Sequence, residues 1–106
     1  MSKTTGDLVS VKIIPNAQGT PTGKLADAEV IFEAGAGPLS GLKLIGFSVW
    51  ERRDGGRNVT FPARQYSVNG ARRSYALLRS ASGELTAQNP IRDCILDAYS
   101  RIEAAS

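Results

Sequence analysis

The segment Leu8-Val9-Ser10-Val11-Lys12-Ile13-Ile14 sets Val9, Val11 and Ile13 at every second position with Ser10 and Lys12 between them. Residues 25–33 repeat the device, with Ala26, Ala28, Val30 and Phe32 alternating against Asp27, Glu29 and Glu33. A period of two marks a strand with one buried and one wet face, so both segments need a sheet neighbour and an apolar cover. Pro15 ends the first strand, and residues 16–23, rich in Gly, Pro and Thr, lead to the second. Residues 34–41 break the second pattern; their glycines lack the Lys-Ser/Thr pair of a phosphate loop, so the stretch reads as a connection.

Residues 42–52 are β-branched and aromatic, and Asp54-Gly55-Gly56 is a turn signal before Asn58-Val59-Thr60-Phe61-Pro62-Ala63. A loop of an even number of residues would scatter the apolar side chains over both faces. A loop made of Asp54, Gly55 and Gly56 pairs Val49 with Phe61 and Phe47 with Ala63, placing Ile45, Phe47, Val49, Phe61 and Ala63 on one face. The opposite face then holds Trp50, Arg52, Asn58, Thr60 and Arg64 beside Gly46 and Ser48. Pro62 lacks an amide donor and predicts a sheet edge or a bulge. Asn69-Gly70 is a further turn, and residues 71–79 read as another strand with Tyr75 and Leu77 on one face.

The last element is helical. Asn89 suits the N-cap and Pro90 the first helical position, after which Ile91, Cys94, Ile95, Ala98 and Ile102 recur at helical spacing with Tyr99 on the flank. The expected fold is α+β, an antiparallel sheet of about four to five strands with a C-terminal helix packed on it. A single domain over 8–104 is expected, between a flexible N-terminus (1–7) and a short tail (105–106).

The 106 residues include no histidine and a single cysteine, which excludes a Cys/His zinc cluster, a histidine-based triad and an internal disulfide. Cys94 falls on the apolar helix stripe, where a cysteine behaves as a small hydrophobe. Asp93 and Asp97 lie one turn apart on a helix face that reads as solvated. No constellation supplies a nucleophile and base, so neither enzyme activity nor a metal or other cofactor is expected. No apolar run approaches the roughly 18 to 20 residues that span a bilayer, and a soluble, cytoplasmic protein without a membrane partner is expected.

The net charge of +3 is unevenly distributed. Residues 1–42 sum to −1 and residues 80–106 to −2. Residues 43–79 sum to +6, from Lys43, Arg52, Arg53, Arg57, Arg64, Arg72, Arg73 and Arg79 against Glu51 and Asp54. Arginine binds phosphate bidentately and stacks on bases, so this segment predicts contact with nucleic acid. A merely solvated basic face is the plainer alternative. The pairs Arg52-Arg53 and Arg72-Arg73 are the foremost phosphate candidates, because a strand sends neighbouring side chains to opposite faces and hairpin ends expose both. Arg57 and Arg64 join them, and Trp50 is a candidate to stack an unpaired base, burial being the competing role.

The order of elements, together with local runs, resembles the SpoVG family, named for stage V sporulation protein G and also called septation regulators. The resemblance extends from about Leu8 to Ile102. It rests on Gly23-Lys24-Leu25, the strand from Lys43 to Trp50 running into Asp54-Gly55-Gly56, Phe61-Pro62-Ala63-Arg64, Asn69-Gly70-Ala71-Arg72-Arg73, and Ile91 to Tyr99 ending in Asp-Ala-Tyr. It implies a small bacterial regulator, dimeric through its sheet, that binds DNA or RNA and affects gene expression, division or sporulation. The chain departs from the family at Gln88 and Pro90, where a basic pair usually opens the helix, and at Gln65, where a second cation usually follows Arg64. An apolar remainder including Leu44, Leu78 and Leu96, left by one helix on one sheet, also points to a homodimer or higher oligomer. The other function open to the sequence is a protein-interaction or structural module whose basic face meets an acidic protein.

Overall fold

The computed structural model describes residues 8–105. The expected flexible segment 1–7 and Ser106 lie outside the described residues, and Ala105 is the last residue of the helix. Strands β1 (Val9–Pro15), β2 (Lys24–Phe32), β3 (Lys43–Glu51) and β4 (Arg57–Thr60) form an antiparallel meander in the spatial order β1-β2-β3-β4. A 3-10 segment, Ala34–Leu39, joins β2 to β3. Strands β5 (Ala63–Val68) and β6 (Ala71–Ala76) form a sheet of their own, and helix α1 (Asn89–Ala105) closes the chain. The class is α+β, as the alternation followed by a helical period predicts, with six strands among the described residues divided between two sheets.

The two alternating segments behave as their periodicity requires. Val9 stands opposite Phe32, Val11 opposite Val30 and Ile13 opposite Ala28, so the inward sets of β1 and β2 share one face. Ala28 pairs with Phe47 and Ala26 with Val49, extending that face into β3. Helix α1 lies across it with Ile95 fully buried among Ala26, Ala28, Val30, Phe47, Val49 and Val59. Completely buried side chains such as Phe47 and Ile95 contribute roughly 1.5 to 3 kcal/mol each. Leu44, Leu78 and Leu96, expected as an uncovered remainder, pack partly buried against this core.

Four local expectations are corrected. Between the pairs Ala28–Phe47 and Val30–Leu44, β3 advances one residue more than β2, with Gly46 at φ +105°. This bulge turns Ile45 out of the core face and leaves it 58% exposed. The β3–β4 turn is Arg53-Asp54-Gly55, one residue earlier than expected: the Arg52 amide donates to the Gly56 carbonyl at 2.8 Å, and Val49 faces Val59. The number of loop residues is still odd, so Phe47 and Phe61 still meet edge to face, with ring centroids 5.1 Å apart. Ala63, expected on that face, is exposed at the start of β5. At the helix entrance the Gln88 carbonyl accepts the first helical bond, from the Arg92 amide at 3.1 Å, so Gln88 takes the cap position expected for Asn89. The Asn89 carboxamide oxygen instead accepts from the Arg92 guanidinium at 2.9 Å.

Strands β5 and β6 leave the body as an arm. Pro62 stops β4, is itself buried, and its carbonyl accepts the Leu77 amide at 2.8 Å, so the arm departs and returns at one point. Asn69 (φ 52°) and Gly70 (φ 80°) make the two-residue turn at its tip, the backbone that Asn-Gly favours between antiparallel strands. Strand β6 ends at Ala76, short of the expected 79, and every residue of both strands except half-buried Ala76 is exposed. The radius of gyration is accordingly 15.1 Å, against about 13 Å for a compact chain of this length. Among the described residues no helix is long and apolar enough to cross a membrane.

Candidate nucleic-acid interface

The register sends the arginines of the basic segment to three separate places. Arg52 and Arg53 stand at the β3–β4 turn, where the Arg52 guanidinium is 3.8 Å from Asp54. Arg57 points toward the helix. It bonds the Glu103 carboxylate, donates to the Gly55 carbonyl at 3.1 Å and lies 5.5 Å from the centre of the Tyr99 ring. The hydrogen bond to Glu103 raises the Arg57 pKa above its ordinary value, against the opposing effect of burial, and engages this cation within the chain. Arg64, Arg72 and Arg73 belong to the arm.

Trp50 faces away from the helix and is half-buried. Its indole nitrogen donates to the Thr60 hydroxyl at 2.9 Å, and its neighbour across β2 is Lys24. The same open sheet face holds Lys24–Asp27 and Lys43–Glu29 ion pairs at 2.7 and 3.0 Å, with Ser48 bonded to Asp27. Trp50 therefore sits in a mixed-charge, internally satisfied surface, and Arg64, expected beside it, is on the arm instead. The structure puts the tryptophan on the four-stranded sheet and the candidates Arg64, Arg72 and Arg73 on the separate β5–β6 sheet.

The arm has two unlike faces. On one, Arg64 stands opposite Tyr75, Tyr66 opposite Arg73, and Val68 opposite Ala71. The two tyrosine rings meet diagonally with centroids 5.6 Å apart and planes inclined at 53°, and the Arg79 guanidinium lies 5.9 Å from the Tyr75 ring. On the other face Gln65 stands opposite Ser74 and Ser67 opposite Arg72, and Arg72 donates to the Gln65 oxygen at 2.9 Å. Arg72 and Arg73 thus project to opposite sides, as strand geometry predicts for adjacent residues.

Sequence reasoning placed Arg72 and Arg73 correctly on a strand, put Arg64 on the strand paired with β3 rather than on the arm, and passed over Tyr66 and Tyr75 as site residues. The signal was present: Arg64-Gln65-Tyr66-Ser67-Val68 and Ala71-Arg72-Arg73-Ser74-Tyr75 flank a two-residue turn, and counting outward from Asn69-Gly70 pairs each tyrosine with an arginine.

A groove of about 870 Å³ lies between β1 and α1 and is lined by Val9, Val11, Ile13, Cys94, Ala98 and Ile102, with Asp93, Asp97 and Arg101 among its polar groups. Asp97 is engaged by Arg101 at 2.9 Å. Among the described residues no group of His, Cys, Asp and Glu side chains could hold a metal ion. Comparison of the chain with protein-family models, curated proteins and solved structures gives no significant match.

Proposed function

We propose that the protein is a homodimeric, cytoplasmic regulator of the SpoVG type that binds DNA or RNA through the β5–β6 arm. The observation that supports this reading is the charge of the arm: from Gly55 to Gly83 the chain contains Arg57, Arg64, Arg72, Arg73 and Arg79 and no carboxylate. Of these, Arg57 is consumed by Glu103 and the other four stand on or beside a projecting, solvent-exposed hairpin. A cationic ribbon without an acidic neighbour is matched in charge and shape to a phosphate backbone, and like charge discourages two arms from packing on each other. Dimerisation is supported by the two sheet edges, β1 and β4, that pair with one strand each.

Salt titration of binding to DNA and RNA tests the reading. If each of the four arm arginines neutralises one phosphate of a duplex, log affinity falls against log salt with a slope of about −3.6. Absence of binding at low salt overturns the reading and returns the arm to the class of surfaces that meet acidic proteins.

A further inference from the structure

We propose that the Tyr66–Tyr75 face of the arm is a stacking platform for unpaired bases, so that the ligand of this surface is single-stranded nucleic acid. This deepens, and rests on, the reading of the arm as a nucleic-acid contact.

Three observations lead there. The face exposes Tyr66 at 42%, Val68 at 43%, Tyr75 at 40% and Leu77 at 55%, an apolar load that a two-stranded ribbon without a body behind it cannot bury itself. Each tyrosine is the register partner of an arginine, Tyr66 of Arg73 and Tyr75 of Arg64, and the Arg79 guanidinium lies 5.9 Å from the Tyr75 ring. A base laid on either ring would have a cation within reach of its own phosphate. An apolar ligand alone would leave those arginines unused, and an acidic peptide would leave the rings uncovered.

The ring geometry distinguishes a single strand from a duplex. Bases in a duplex are parallel and spaced about 3.4 Å along each strand. The two rings are 5.6 Å apart and inclined at 53°, so bases stacked on both are spread and tilted relative to each other. Only a strand free of a complement can do that. A duplex keeps its bases stacked on one another and meets the arm through its phosphates, without using the rings.

Fluorescence anisotropy with labelled oligothymidine, oligouridine and a mixed-sequence DNA duplex of equal length tests the proposal on the full chain. The single strands bind more tightly than the duplex. Tyr66→Ala and Tyr75→Ala each weaken single-strand binding roughly 5- to 150-fold and leave duplex binding unchanged. Tyr66→Phe and Tyr75→Phe, which keep the ring, retain affinity, and hydrogen exchange of the arm amides shows that each variant keeps the ribbon. Equal binding of duplex and single strand, or alanine variants that keep the ribbon and bind single strands like wild type, overturns the platform and leaves an arginine-only contact standing. Failure of the wild type to bind any of the three probes overturns the reading beneath it.

Discussion

Gly46 lies so close to Pro62 that a Cβ on the glycine would sit 2.9 Å from the proline Cβ. Gly46 also has φ +105°, a conformation that side chains oppose. The bulge in β3 and the exit of the arm are therefore one packed unit. Gly46→Ala is expected to destabilise the fold by about 1 to 3 kcal/mol, because it combines backbone strain with a clash against a buried ring. Urea denaturation measures it, and an unchanged midpoint would show that Pro62 yields.

Gly70→Ala acts on the arm alone. Position 70 has φ +80° with nothing near its missing Cβ, so the cost is conformational and local to the tip. Faster hydrogen exchange in residues 63–76 and weaker nucleic-acid binding are expected, with the global melting temperature unmoved.

Two arginines give opposite results. Arg57→Ala removes the link between β4 and the last turns of α1, made through Glu103 and Tyr99. It is expected to lower the melting temperature and leave the affinity of the folded protein for nucleic acid nearly intact. Arg73→Ala is expected to leave melting unchanged and to flatten the salt slope by about 0.9 on duplex DNA. Thermal scans and salt titrations on the same two proteins check both.

Sedimentation equilibrium at micromolar concentration is expected to give twice the chain mass of 11.3 kDa. A mass of one chain would rule out the dimer while leaving the arm contact to be judged by its own tests.

The alternation of β1 and β2 and the helical stripe around Ile95 were legible because each is a local period read against a single apolar face. Ile45 was not, since the pattern around it is continuous and only the backbone at Gly46 breaks phase. Nor could periodicity show that β5 and β6 leave the sheet: a hairpin alternates in the same way whether it packs against a body or stands in solvent. The arginines illustrate the same limit. Arg57 and Arg73 are alike in sequence, and what separates an internal ion pair from an open cation is the register that aims one at Glu103 and the other past Tyr66. Trp50 drew attention as the lone tryptophan, yet its face is completed by Thr60 and the ion pairs of β2 and β3.

The arm joins the body through Pro62 at one end and Leu77 at the other, with the Leu77 amide bonded back to the Pro62 carbonyl. If the arm binds as proposed, substitutions at its exposed positions are filtered by the ligand rather than by folding, whereas those in the four-stranded sheet are filtered by folding first. Recognition can then drift, or be exchanged by grafting a different hairpin between the same two anchor residues, without renegotiating the core. The arrangement separates what the chain must conserve to exist from what it is free to change in order to bind something else.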